Sequence, residues 1–361
     1  MRTLGARLHA EQLNRTLLHL FSVNERVTAQ GAWPTPVCIW GSHGIGKTML
    51  VEQLAKSQGM RFAYCAPAQF EEMGDLNGMP QISAEGTTRF APPEWVPKGD
   101  GPGILLLDDI NRADDRILRG LMQLLQTGGL VSWQLPKGWQ VVATANPEGA
   151  DYSVTPMDDA MLTRMQHVTM EFDVDCWVHW AQDNGVDQRG IEFVVGYPEV
   201  VTGRRTTPRS LTAFFRSIET ISNLKTEQQL VQILALSSLD DSTVAAFVDF
   251  IQRDKQLHMP QAQEVLEAED MQALLLQVEE EQFSVDRLGL ICQRVVEFLL
   301  RDDYMYEPLH GTNLIKWLVE APLPGDLRMS MHRELVTNAK NTKLLAALEA
   351  PSLARLLLAG L

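Results

Sequence analysis

Gly41-Ser42-His43-Gly44-Ile45-Gly46-Lys47-Thr48 is the stretch on which the reading of the fold rests. It fits G-x-x-x-x-G-K-[ST], with the apolar run Val37-Cys38-Ile39-Trp40 before it and a helical pattern from Met49 to Ser57 after it. A strand end, a glycine-rich turn and a helix start are the context in which that spacing holds phosphate. Glycine at 41, 44 and 46 permits backbone conformations that a Cβ blocks, so successive N–H groups can converge on phosphate oxygens. The start of the helix adds partial positive charge at the same place. Lys47 can reach the β- and γ-phosphates, and the Thr48 hydroxyl can ligate Mg²⁺. The expected nucleotide contacts are therefore Gly41, Ser42, His43, Gly44, Ile45, Gly46, Lys47, Thr48 and Met49, with ATP and Mg²⁺ as cofactors. Such a loop reads phosphates and not the base, so it leaves GTP open.

Working outward, the run Gly103-Ile104-Leu105-Leu106-Leu107 predicts a strand buried on both faces of a parallel sheet, and it ends in Asp108-Asp109. A carboxylate at that end of a strand sits in the crevice where parallel α/β sheets bind ligands. Asp108 is expected to support Mg²⁺, and Asp109 to orient and polarise the attacking water. A second such strand, Val141-Val142-Ala143-Thr144-Ala145, ends at Asn146. Asn146 could hold the water or sense the γ-phosphate, although Asn-Pro also starts turns unaided. Arg164 closes the helical stretch from Met157, where it could face a neighbouring subunit's nucleotide or only the helix dipole. Thr207 and Pro208 suit an N-cap and a first helical residue. That puts Arg209 in a first turn, where a cation is locally unfavourable unless an anion binds. Arg204 and Arg205 compete for that role.

The bulk numbers narrow the class. The chain has 361 residues, 45% hydrophobic and 21% charged, with a formal charge of −15. That balance suits a soluble globular protein and disfavours a broad nucleic-acid footprint. Four cysteines lie far apart, two of them in expected strands, which fits reduced thiols and a cytoplasmic protein. No apolar run reaches membrane-spanning length and the start lacks a signal-peptide core. Glu264 to Glu281 holds seven carboxylates without Lys or Arg, a solvated helix face or an acidic docking surface.

Strand and helix alternate to about residue 172, and helical periodicity dominates afterwards, with apolar stripes around 210–216, 228–236, 244–251, 288–300 and 343–359. Residues 7–28 read as an amphipathic helix, and 71–103 as a Gly- and Pro-rich loop with a short hairpin. The expected segments are 1–30 as an N-terminal helix, 31–172 as an α/β nucleotide-binding core, 173–260 as a helical lid, and 261–361 as a C-terminal helical extension.

With these residues assembled, the chain resembles the AAA+ ATPases and, within them, the MoxR-like group, over roughly residues 30–215. The likeness extends to Gly74-Asp75-Leu76-Asn77-Gly78-Met79-Pro80, Phe90-Ala91-Pro92-Pro93-Glu94-Trp95, Asn111-Arg112-Ala113 and Leu135-Pro136-Lys137-Gly138-Trp139. It implies an α/β P-loop AAA+ core with a parallel sheet flanked by helices, then an all-α lid. Lys47 and Thr48 become the Walker A pair, Asp108 and Asp109 the Walker B pair, Asn146 sensor 1, Arg164 the arginine finger and Arg209 sensor 2. The family also implies a homo-oligomeric ring, usually hexameric, acting on a protein client, often through a partner with a von Willebrand factor A domain. One position departs: the family usually carries Asp-Glu where this chain has Asp108-Asp109. Aspartate is one methylene shorter, so its carboxylate sits about 1.5 Å further back, and about 1 Å of misplacement can cost on the order of 100-fold in rate. Slow hydrolysis is the expectation. The leading function is an ATP-driven remodelling or assembly chaperone. A nucleotide-dependent switch or scaffold that scarcely hydrolyses ATP comes second, and a nucleic-acid motor ranks last.

Overall fold

The structure, a computed structural model, describes residues 3–131, 133–149, 154–252, 260–280, 283, 285–301, 304–349 and 353. In chain order the first part runs β1 (Ala6–Leu8), α1 (Ala10–Ala29), β2 (Val37–Trp40), α2 (Lys47–Ser57), β3 (Arg61–Cys65), α3 (Met73–Asn77), β4 (Met79–Ile82), β5 (Thr88–Ala91), β6 (Gly103–Leu107), α4 (Asp115–Thr127), β7 (Gly129–Leu130), β8 (Trp133–Gln134), β9 (Trp139–Ala145), α5 (Asp159–Leu162), β10 (Gln166–Met170) and α6 (Val174–Asp183). Six strands form one sheet in the order β1-β10-β2-β9-β6-β3, every neighbouring pair parallel.

Side-chain alternation divides the core between the two sheet faces. Val37 and Ile39 of β2, with Ile104 and Leu106 of β6, pack with α1 and α2 through Leu13, Leu17, Val51 and Leu54. Cys38 and Trp40, with Leu105 and Leu107, pack on the other face with Ile117, Leu121 and Leu124 of α4. Strands sandwiched this way favour apolar residues on both faces, which is why β2 and β6 read as unbroken runs, while β9 carries only Gln140 and Thr144 as buried polar residues, each hydrogen-bonded. Fully burying each such Leu or Ile contributes about 1.5–3 kcal/mol. Helix α4 is fixed at both ends: the Asp114 side chain accepts from the N–H of Ile117, and Gly128 closes it in the left-handed conformation at φ 69°.

Two sequence readings change. The helix expected over 7–28 begins at Ala10, because Ala6–Leu8 is extended and pairs with β10 as an edge strand. Its three residues supply backbone partners that the edge of β10 would otherwise lack, and Arg7 adds a 2.8 Å ion pair to Glu171. The stretch 71–103 contains the short hairpin expected of it and, in addition, a helix. It holds α3, which ends in a Gly78 turn, and the antiparallel β4–β5 pair. Trp133 donates to the Leu76 carbonyl at 3.2 Å and stands edge-on to Trp95 at 5.4 Å, so indole packing anchors the segment.

The remaining elements are α7 (Gln188–Gly196), α8 (Pro208–Ile218), α9 (Gln228–Ser238), α10 (Asp241–Gln252), α11 (Ala262–Leu266), α12 (Met271–Glu280), α13 (Val285–Leu299), α14 (Pro308–Glu320), α15 (Gly325–Asn338) and α16 (Thr342–Leu348). The chain divides into two compact units, residues 1–186 with 201–216, and residues 187–200 with 217–361. The second unit is all helical among its described residues. Phe193 of α7 meets Phe247 of α10 edge-on at 4.9 Å, and Trp317 of α14 is fully buried. The expected apolar stripes fall on α8, α9, α10, α13 and α16; of residues 350–361, only Leu353 is among the described ones. Glu281 at the end of the acidic stretch also lies outside them. No described helix is long and apolar enough to cross a membrane.

Candidate functional site

Strand register brings the chemistry-bearing residues together. Trp40 pairs with Ala145, so Gly41 and Asn146 leave the sheet side by side. Leu107 pairs with Ala143, which sets Asp108 next to Thr144. The loop after β2 then turns through Gly44 at φ 72° and Gly46 at φ 106° into α2. Nothing lies within 4 Å of where a Gly46 Cβ would point, so the space beside that residue is open. At Gly44 the requirement is close approach, since a Cβ would stand 2.5 Å from the Thr207 hydroxyl.

Lys47 is buried, and its ammonium donates to the Gly41 carbonyl at 2.7 Å, the Ser42 carbonyl at 3.0 Å and Asn146 Oδ1 at 3.3 Å. All three acceptors are uncharged. A buried cation with no hydrogen-bonded anion is costly, and phosphate oxygens in the adjoining space would supply that anion. Burial is also what pulls the Lys47 amine down to about 8, against the raising effect of Asp109 and Asp108, while Arg209 and Arg112 lower it further.

The carboxylate end of β6 is equally well constrained. Asp108 Oδ1 accepts from Thr48 at 2.8 Å and from Thr144 at 2.7 Å, and Oδ2 accepts from Tyr64 at 3.2 Å. Burial and the Asp108 charge push the Tyr64 hydroxyl up, so it stays protonated as the donor. Thr48 and Asp108 form the all-oxygen donor pair that Mg²⁺ prefers, and they are already in register. Asp109 sits in the left-handed region at φ 49° and its N–H donates to Thr144. Its Oδ1 accepts from Asn146 Nδ2 at 2.9 Å, and its Oδ2 lies 3.3 Å from Arg112 Nε. Asn146 is itself fixed by Asn111, whose amide donates to the Asn146 carbonyl at 2.8 Å and accepts its N–H at 3.0 Å. Asn146 therefore links Lys47 to Asp109 through the two ends of one amide.

Arg209 is in the first turn of α8 as expected. Its N–H donates to the Gly44 carbonyl at 3.1 Å, and its charge is felt at Lys47. Thr207 caps the helix by accepting from the Ser210 N–H at 3.3 Å. His43 meets the Arg204 carbonyl at 3.1 Å, so the approach to α8 is bonded to the tip of the phosphate loop. Met49 is exposed on α2. Arg164 stands apart from this network: its guanidinium donates to Gln126 Oε1 at 3.2 Å and to the Ala160 carbonyl. Thr144, Asn111, Arg112 and Tyr64 were not singled out for roles by their types and spacing. The one usable signal was Thr144, a hydroxyl inside the otherwise apolar run Val141–Ala145, since a buried polar group needs a partner.

One consequence can be measured directly. Phosphate binding needs Lys47 charged, and in the free protein it is half deprotonated near pH 8. Binding a Mg²⁺–nucleotide analogue should take up a proton per site above that pH and almost none at pH 7, with apparent affinity falling about tenfold per pH unit above 8. Calorimetry at pH 8.5 in buffers of different ionisation enthalpy reads the uptake. A binding heat indifferent to the buffer would exclude Lys47 titration.

Compared with known proteins, residues 36–165 match the family of the AAA domain (dynein-related subfamily). No curated protein matches the chain. Among solved structures it is similar to a RuvB mutant from Thermotoga maritima, at 12% identity and a TM-score of 0.41, covering 87% of this chain and 95% of that one. It is also similar to a candidate ATPase from Cytophaga hutchinsonii, at 14% identity and a TM-score of 0.35, covering 97% and 89%.

Proposed function

We propose, from the match of residues 36–165 to the AAA domain and from the P-loop AAA+ fold, that this protein is a Mg²⁺-dependent ATPase of the MoxR-like kind. In this reading a homo-oligomeric, hexameric ring couples ATP binding and hydrolysis to remodelling or assembly of a protein client in the cytoplasm. The observation that carries the nucleotide reading is Lys47, a buried ammonium with only neutral acceptors beside a glycine-lined space. ATP and Mg²⁺ would place charge for transfer there. The loop N–H groups and Lys47 would bind phosphate, Thr48 and Asp108 would hold the ion, and Asp109, steered by Asn146, would orient the water and accept its proton. Arg164, free of the P-loop network, is assigned to a neighbouring subunit's nucleotide, and Arg209 to the nucleotide of its own chain. The net charge of −15 favours a protein client over nucleic acid, and a protein with a von Willebrand factor A domain is the expected intermediary.

Native mass measurement with ATP, with ADP and without nucleotide, run beside steady-state turnover, tests the proposal. The expected result is a larger assembly with Mg²⁺–ATP and measurable phosphate release. A ring that assembles yet never releases phosphate, with a client or without, would instead make the protein a switch, which the short side chain of Asp109 keeps as the second reading. Salt-sensitive DNA binding that accelerates turnover would replace both readings with a nucleic-acid motor.

A further inference from the structure

Away from the nucleotide residues, three ligand-bearing side chains meet at the starts of α1 and α6. The ligating atoms of His9, Glu11 and Cys176 all lie within 4.8 Å of one another. His9 is the N-cap of α1, Glu11 is in its first turn, and Cys176 is in the first turn of α6. His9 and Cys176 are thus 167 positions apart in sequence, with Nδ1 3.4 Å from Sγ. Around a tetrahedral zinc ion, with Zn–S about 2.3 Å and Zn–N about 2.0–2.1 Å, neighbouring ligand atoms stand about 3.6 Å apart. The pair is therefore already at corner-to-corner spacing, and Glu11, exposed at the surface, can reach a third corner by side-chain rotation.

The donor set suits a soft divalent cation as well as a bare thiol–imidazole contact. Burial, with the Asp173 and Glu11 charges, pushes the metal-free Cys176 thiol up to about 11, and the Glu11 backbone N–H offsets part of this, so a metal ion has to displace the thiol proton as it binds. Asp173 accepts the Cys176 N–H at 2.9 Å and adds negative charge beside the sulfur. Two helix N-termini oppose a cation here, but thiolate, Glu11 and Asp173 set three negative charges against them. Imidazole with thiolate selects zinc-class ions and not the Mg²⁺ of the nucleotide site.

We propose that His9, Glu11 and Cys176 form a binding site for one zinc-class divalent metal ion, with water as the fourth ligand. Binding forms the metal–sulfur bond and releases the thiol proton to solvent. The ion then ties the β1–α1 junction to α6, across most of the length of the first unit.

Titration of the full-length protein with Co²⁺, free of nucleotide, is the test, because thiolate-to-cobalt charge transfer and tetrahedral d–d bands report ligand type and geometry. One equivalent should bind with both signatures. The thiolate band should vanish in Cys176→Ser, and affinity should fall at least about tenfold in His9→Gln and in Glu11→Gln. Saturating Zn²⁺ should raise the Tm of the wild type by about 2–4 °C and leave Cys176→Ser unmoved. Should Cys176→Ser fold poorly, His9→Gln, a change at a partly exposed helix cap, carries the same comparison. No thiolate band in the wild type, or an undiminished band in Cys176→Ser, overturns the site.

Discussion

Arg164→Ala should lower ATP turnover by about 10³-fold or more while changing nucleotide affinity by less than about threefold. An arginine supplied to a transferring phosphoryl group is worth about 10³–10⁵ in rate, or roughly 4–7 kcal/mol. In the single chain the Arg164 guanidinium rests on Gln126 and the Ala160 carbonyl, two neutral acceptors that release it at little cost. The residue is not part of the chain's own phosphate network, so its loss should spare binding and folding. Mixing makes the test decisive. Arg164→Ala subunits keep Lys47, and Lys47→Ala subunits keep Arg164, so two inactive preparations should regain turnover when combined. Activity that stays absent in the mixture, with rings intact, would remove Arg164 from the neighbouring site. Unchanged turnover in Arg164→Ala alone would reduce it to a helix-terminal cation.

Asp109→Ala should reduce turnover by about 100-fold and leave Mg²⁺–nucleotide binding within about threefold, because loss of a general base typically costs 10²–10⁴. Asp109→Glu should move in the other direction. The added methylene carries the carboxylate about 1.5 Å further out, to the reach of the Asp-Glu pair that the proposed MoxR-like reading implies. The structure sharpens this expectation. Asp109 is gripped by Asn146 at 2.9 Å and paired with Arg112 at 3.3 Å. The Arg112 pair is partly exposed, and such pairs are worth only about 0–1 kcal/mol, so it can open when charge arrives in the site. The Asn146 bond is part of a rigid amide pair with Asn111 and should persist. Steady-state phosphate release for the three proteins decides the matter, and full turnover in Asp109→Ala would place the base elsewhere.

Much of this was legible before any coordinates because it depends on neighbours in the chain. The phosphate loop, the strands ending at Trp40, Leu107 and Ala145 and the Thr207 cap all follow from residue types at fixed spacing, which set local backbone conformation. The same spacing named Lys47, Thr48, Asp108, Asp109, Asn146 and Arg209, and the structure brings these six together. The strand β1 was misread as helix because its three residues gain their pairing from β10, some 160 positions away. The packing of α3 and the hairpin was hidden for a similar reason, since it hangs on Trp95 and Trp133 meeting in space.

What only the tertiary structure decided is which partner each group has. That Thr144 serves both Asp108 and the Asp109 N–H, that Asn111 locks Asn146, and that Thr207 closes against Gly44 are results of strand register and chain return, which no local pattern encodes. The sequence by itself determined a strand, a glycine-rich turn and a helix start from Val37 to Ser57, with the spacing between Gly41 and Thr48 that suits phosphate. The fold determined that Lys47 waits there charged but without an anion, and that Asp109 is already held at its distance. Burial creates the first condition and long-range hydrogen bonding the second, and both exist only once the sheet is assembled.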